Sequence, residues 1–140
     1  MTNRSLAYIV KDQNPLVMTA SETMQNACRR MAERRVGAVL VADDQQRLIG
    51  IFTGRDAVCA HAECKNAAVT TLAEAMTRNP DTIAPDRTAI DALRIMSDRG
   101  FRHLPVVRDG RIVGIVSRGD FKGLEFDRLE EETHLWETIG

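Results

Sequence analysis

The sequence predicts a mixed α+β fold built from two copies of one β-α-β-β-α unit. Three observations carry that prediction. The chain repeats itself, with Gly-Ile-Phe-Thr-Gly-Arg-Asp at 50–56 answered by Gly-Ile-Val-Ser-Arg-Gly-Asp at 114–120. The repeat extends backwards in register: Asn14-Pro15 answers Asn79-Pro80, Thr23 answers Thr88, Met31 answers Met96, Arg34 answers Arg99, Val41 answers Val106 and Arg47 answers Arg111. Within each copy the apolar spacing then changes from a helical period to short continuous runs bounded by turn residues, the signature of a helix followed by strands. The offset is 65 residues at first (14 to 79) and 64 after the first hairpin turn (50 to 114), because that turn is one residue shorter in the second copy. A register held over roughly 45 residues marks a duplicated structural unit.

Each copy opens on a short apolar segment, Leu16-Val17-Met18 and then Thr82-Ile83. A helix start follows, with caps offered by Thr19 to Glu22 in the first copy and by Asp86 or Thr88 in the second. Met24, Ala27, Cys28 and Met31 form one apolar stripe, and Ile90, Leu93 and Met96 form the other. Gly37 and Gly100 are expected to mark the helix exits. Two strands come next in each half: 38–41 with 48–52, and 104–107 with 112–116. Asp43-Asp44-Gln45-Gln46 and Arg108-Asp109-Gly110 read as their hairpin turns, the second with a strong Asp-Gly signal. Pro105 cannot donate to a ladder, which predicts an edge or strand-start position for it. A second helix is expected after Thr53 and after Ser117. The join over 66–78 should carry a helical turn near Leu72 to Met76. Residues 124–139 predict an extra helix whose Leu124, Phe126, Leu129, Leu135 and Trp136 need a surface on which to bury. The expected division is 8–66, 67–123 and a helical tail at 124–140.

Bulk properties narrow the function classes. A chain of 140 residues with 44% hydrophobic and 28% charged residues can bury an ordinary core. Its net charge of −1 supplies no basic field, which argues against nucleic acid as a partner. No apolar run approaches the roughly 18 residues of a membrane span. The first ten residues lack the apolar stretch of a secretory signal, and three cysteines are too few and odd in number for a disulfide framework. A reducing cytoplasm is the expected location.

The doubled motif places a hydroxyl and an acid at a strand-to-helix turn. Unpaired N–H groups there attract an anion, a Thr or Ser hydroxyl adds a donor for a phosphate oxygen, and Arg55 or Arg118 can neutralise phosphate charge. Asp in the first turn would repel phosphate but suits the two hydroxyls of a ribose. The same Thr-x-x-Asp and Ser-x-x-Asp spacing is also a capping sequence, so both readings stand at this stage. Gly50 and Gly114 would let a ligand or another backbone come close.

The unit ending in this motif, and above all Arg102-His103-Leu104-Pro105-Val106-Val107 followed by 110–120, resembles the CBS domain, the module named after cystathionine β-synthase. The resemblance covers about 8–123. It implies a tandem pair of CBS repeats packed about a pseudo-twofold axis, with the extra C-terminal helix outside it. It also implies clefts between the repeats for adenosine-containing ligands: AMP, ADP, ATP, S-adenosylmethionine, sometimes NAD. Carried over, Thr53, Arg55 and Asp56 belong to one site and Ser117, Arg118 and Asp120 to the other, with hydroxyls on phosphate and acids on ribose. Val17, Met18, Ala38, Thr82, Ile83 and His103 would flank the adenine. Where the second copy has Arg102-His103 the first has Gly37-Ala38, so two identical sites are not expected.

Cys59, His61 and Cys64 are of metal-ligand type, but on a helix the first two diverge by about 200 degrees. Cys28 on its stripe reads as a small core residue. His134 and the Glu130-Glu131-Glu132 run read as solvated. No nucleophile-and-base pair or phosphate-binding loop of the Walker type is evident. The reading that results is a non-catalytic regulatory module. It requires no cofactor or metal and senses adenine nucleotides or S-adenosylmethionine. It acts as a homodimer on an unidentified protein partner, with no nucleic acid and no membrane. The alternative is a ligand-free interaction or dimerisation module.

Overall fold

The computed structural model describes residues 4–121. The elements begin with α1 (Leu6–Val10), β1 (Val17–Thr19), α2 (Met24–Arg34), β2 (Ala38–Ala42), β3 (Leu48–Thr53) and α3 (Gly54–Ala62). They continue with α4 (Leu72–Ala75), β4 (Thr77–Arg78), α5 (Ala89–Arg99), β5 (His103–Arg108) and β6 (Arg111–Ser117), closing on a 3₁₀ turn over Arg118–Asp120. The chain divides into two compact units. Of the described residues, one unit comprises Asn14–Asp81 with Asp109–Ile112 and the other 4–13, 82–108 and 113–121. The helix expected over 124–139 lies outside the described residues, as do the side chains assigned to it. Among the described residues no helix is long and apolar enough to cross a membrane.

In the 14–81 unit the sheet order is β1-β2-β3-β4, with β1 parallel to β2 and the other pairs antiparallel. Every residue of β2 is buried, as befits a strand flanked on both edges and covered on both faces. Thr23 caps α2, accepting from the Asn26 N–H at 3.1 Å, rather than any of residues 19–22. The exit of α2 is also not Gly37. Arg35 takes the left-handed conformation (φ 55°), and the Val36 N–H reaches back to the Met31 carbonyl at 3.1 Å. That bond satisfies an end carbonyl and holds a non-glycine residue where a side chain costs about 1–2 kcal/mol. The core gathers Leu16, Met18, Met24, Ala27, Met31, Val39, Val41, Phe52, Ala60, Leu72 and Met76, with Cys28 packed against it. Burial pushes the Cys28 thiol up, keeping it neutral.

The second repeat has the same grammar with two departures. Thr88 caps α5 in a box with Asp91, each reaching the other's backbone N–H (3.3 and 3.1 Å), and Gly100 ends the helix at φ 77°. Asp109 and Gly110 both have positive φ, the geometry of a tight hairpin turn. The first departure is the opening strand, reduced to a bridge between Ile83 and Val106. Pro105 supplies the reason. In the first copy the matching residue, Leu40, donates its N–H to the Leu16 carbonyl at 2.9 Å and continues the parallel ladder. Pro105 only accepts, from the Ile83 N–H at 3.0 Å, so the ladder stops after one step. Pro105 is thus inside β5, with its missing donor on the side where pairing ends. In the second departure the helix expected after Ser117 is, within the described residues, the 3₁₀ turn.

Two elements outside the expected grammar cover the third strands. β4 pairs with Gly50 and Ile51 of β3. On β6, Gln13 does with its side chain what β4 does with backbone: its amide donates to the Ile115 carbonyl (2.6 Å) and accepts from the Ile115 N–H (2.9 Å). Just before it, α1 is capped by Ser5 and buries Leu6 and Val10 in a core with Ile90, Leu93, Met96, Leu104, Val106 and Val116. Both arrangements need glycine. A Cβ on Gly114 would lie 2.7 Å from both the Val10 Cβ and the Gln13 Oε1, and a Cβ on Gly50 would strike the Met76 sulfur and the Thr77 carbonyl. Gly114→Ala is expected to cost about 1–3 kcal/mol, the scale of overpacking. Gly50→Ala should cost less, because the flexible Met76 side chain can swing away. Urea unfolding of the two variants checks this order; an equal or smaller loss at Gly114 would contradict it.

Candidate functional site

The first motif is a complete helix cap. The Thr53 hydroxyl accepts from the Asp56 N–H (3.2 Å), while the Asp56 Oδ2 accepts from the Thr53 N–H (2.9 Å) and hydroxyl (3.1 Å). Thr77, which sequence reasoning missed, donates its hydroxyl to the Asp56 Oδ1 at 3.1 Å. A carboxylate offers about four acceptor positions, so these three bonds leave Asp56 room for one more donor. The Gly54 N–H donates to the Gly37 carbonyl at 3.1 Å, tying the start of α3 to the entry of β2. Arg55 stands exposed beside them.

The second motif sits at the end of β6. Asp120 Oδ2 accepts from the Ser117 N–H (2.6 Å) and hydroxyl (3.1 Å), and Arg4 donates to the Asp120 carbonyl at 2.9 Å. Beside it opens a cleft of about 580 Å³, inside the size range of small-molecule sites. Its walls are Met96, Ser97 and Gly100 at the end of α5, Phe101 to His103 entering β5, and Ser117 to Gly119. The cleft therefore brings together Ser117, Arg118 and His103, three of the residues expected from sequence, with Asp120 next to the last of its wall residues. It adds Arg102, which opens the stretch that carries the resemblance but was not among the expected site residues, and Phe101 and Ser97, which belong to no motif. The left-handed turn at Gly100 is the one local signal that the chain bends there to form a wall.

Other expected residues lie elsewhere. Met18 and Ile83 are core residues of their separate units, Ala38 is buried in β2, Val17 is half-buried and Thr82 is exposed. Thr53, Arg55 and Asp56 belong to the 14–81 unit, whereas Ser117, Arg118 and Asp120 belong to the other. Cys59 and Cys64 are exposed, one on α3 and one just past it. Among the described residues no three His, Cys, Asp or Glu groups converge in a way that would hold a metal ion.

Burial pushes the His103 imidazole below its usual range; Asp120 opposes that shift and Arg102 adds to it. The neutral form is thus favoured in the folded protein, and as pH falls the unfolded chain takes up the proton first. Stability that depends on neutral His103 is present in full above about pH 6.5 and is lost as pH falls below it. The wild type should therefore lose more unfolding free energy than His103→Gln between about pH 7.5 and about pH 5.5. Urea titrations of both proteins at the two pH values check this, and parallel losses would contradict it.

Comparison with known proteins gives consistent matches. The family model of the CBS domain matches twice, over residues 9–63 and 72–125. CBS domain-containing protein CBSCBSPB5 of Arabidopsis thaliana is 41% identical over 102 residues, covering 72% of this chain and 19% of that protein. The chain thus spans about a fifth of the length of that curated relative. Protein YlbB of Bacillus subtilis is 31% identical over 117 residues, covering 83% of this chain and 75% of its own length. Among solved structures, the CBS domain pair of protein MJ0100, in complex with 5′-methylthioadenosine and S-adenosyl-L-methionine, superposes with a TM-score of 0.76. Its identity is 26%, covering 92% of this chain and 97% of that one. CBS domain protein PAE2072 from Pyrobaculum aerophilum, complexed with AMP, shares the fold at a TM-score of 0.82 and 20% identity, covering 91% and 98%. With two family matches that together take in most of its length, and a mixed α+β fold shared with CBS pair structures, this chain belongs to the CBS domain family and carries two CBS repeats.

Proposed function

We propose that the chain is a regulatory module without chemistry of its own, whose signal is an adenosine-containing small molecule. The observation that carries this reading is the cleft of the second repeat. It places a hydroxyl, two guanidinium groups and an imidazole around a volume of about 580 Å³, with an aromatic ring at its wall. Those groups suit a nucleoside phosphate: cations for the phosphate, Phe101 as an apolar surface, and the Asp120 carboxylate nearby for ribose hydroxyls. Adenosine derivatives bound to the CBS pair of protein MJ0100 support the ligand class. The Ser117 hydroxyl is engaged with Asp120 as a cap, an arrangement that fixes a turn rather than activating a nucleophile. Regulation would follow if the ligand binds one conformation more tightly than another and so shifts their populations. The listener would be a protein partner in the same compartment, taken here as the cytoplasm.

A second reading has an observation of its own. Both motif acids already serve as caps, Asp56 through three hydrogen bonds and Asp120 through two, so the motif has a structural use without any ligand. On that reading the chain is an interaction module. Calorimetry on the nucleotide-free full chain separates the two, with AMP, ADP, ATP, S-adenosylmethionine and NAD as titrants. At least one is expected to bind, and Asp120→Ala is expected to weaken it by about 1 kcal/mol or more, the scale of a hydrogen bond to a charged group. Asp56→Ala should be melted alongside, since loss of the α3 cap alone costs about 1 kcal/mol of stability. Silence across the whole panel would give the interaction module the field.

A further inference from the structure

We infer that Arg47 and Arg111 together form a site for a multiply charged oxyanion of the phosphate class, held across two hairpins. The site shares no residue with the cleft of the second repeat and does not depend on the adenosine reading. The two arginines occupy answering positions in the two repeats, and the fold sets them opposite each other. They form an isolated antiparallel bridge within the unit that holds 14–81, Arg47 just before β3 and Arg111 at the first position of β6. The Leu48 N–H donates to the Gly110 carbonyl at 3.0 Å, one residue after Arg47 and one before Arg111. That pattern makes the arginines a non-hydrogen-bonded pair, the kind whose Cα atoms stand about 4.5 Å apart. Their side chains then leave the same face as close neighbours.

Like charges directly opposite on paired strands are destabilising. Salt does not remove the repulsion, because the screening length of about 8 Å at physiological ionic strength exceeds the spacing of the pair. Among the described residues neither guanidinium has a hydrogen-bond or ion-pair partner, and both residues are exposed. The acids of the two turns do not supply one. Asp43 spends its Oδ1 on the Gln45 and Arg47 N–H groups, both at 2.9 Å, while Asp44 and Asp109 stand exposed without an ion pair. An oxyanion with two charges and several oxygens matches two guanidinium forks at once, through bonds about twice as strong as neutral ones. It would turn the repulsion into a bridge. Chloride has neither the second charge nor the oxygens. Because the same bridge carries the bond from Leu48 to Gly110, a bound oxyanion also tightens the contact between the hairpins.

Amide hydrogen exchange of the full chain, followed by NMR in sodium pyrophosphate and in sodium chloride of equal ionic strength, tests the inference. Pyrophosphate is expected to slow exchange of the Leu48 N–H by about threefold or more, the protection given by a ligand at twice its Kd or above. The Leu40 N–H, bonded to Leu16 in the same unit, serves as the internal reference. Arg47→Gln and Arg111→Gln should each abolish the slowing at Leu48. In chloride alone neither variant should exchange Leu48 faster than the wild type, since each removes one of two repelling charges. Arg29→Gln, an exposed arginine on α2, is the charge control and should keep the full pyrophosphate effect. No slowing at Leu48 in the wild type would overturn the inference. A slowing shared by Leu40 and retained in either arginine variant would put the ion elsewhere and overturn it too. So would a Leu48 amide that exchanges faster in the variants in chloride. None of these failures touches the adenosine reading, which the calorimetry above tests separately.

Discussion

At Gly50 and Gly114 a chain segment lies so near the strand that a single methyl group would collide with it, and both units are built around that contact. On β3 the visitor is 76–78, paired through backbone; on β6 it is 10–13, paired through the amide of Gln13. Each visitor immediately precedes the other repeat in sequence. The glycine fixes how close the visitor comes, and the visitor in turn closes a core, with Met76 on one side and Leu6 and Val10 on the other. The motif glycine is therefore used for packing, the second of the two uses that its place in a strand allows.

The motif acid shows a similar economy. Asp56 and Asp120 hold the hydroxyl and the N–H of the residue three positions earlier, so the turn is rigid before any ligand arrives. A pre-set turn costs a ligand less ordering on binding. Capping and recognition then cease to be rivals at the level of geometry, since a capped carboxylate retains acceptor positions. The difference between the repeats lies around the motif: Gly37 lends its carbonyl to the start of α3, whereas Arg102 lines a cleft.

Much of the fold was legible because its signals are local. Thr88, one of the two caps that its segment offers, caps α5, and Asp109-Gly110 turns as that pair does. The stripes at Met24, Ala27, Met31 and at Ile90, Leu93, Met96 face their cores. What sequence reading missed depends on distant partners. Nothing near Gln13 announces that its amide will stand in for a strand beside Ile115, 102 residues away. Ser5, Leu6, Ile9 and Val10 do carry a cap and a helical spacing, but five residues of helix are too few to stand out without the strand they cover. Pro105 was legible as a ladder-breaker, yet that it shortens the opposite strand required knowing that Leu40 donates to Leu16. The cleft follows the same rule. Ser117 and Arg118 were readable from their motif, whereas Ser97 and Phe101 count only because Gly100 folds the chain back beside them.

The visiting segment on β6 also orders events during synthesis. On a chain emerging from the ribosome, 4–13 come out about 100 residues before their strand, β6. The sheet of the 14–81 unit, by contrast, draws all four strands from one contiguous stretch and can form as soon as 78 has emerged. Until α5, β5 and β6 have all appeared, the core that Leu6, Ile9 and Val10 enter is incomplete. Closing so long a loop is the slow kind of step, and an unsheltered apolar segment is what chaperones bind. Residues 4–13 thus precede most of their partners in sequence and wait for them.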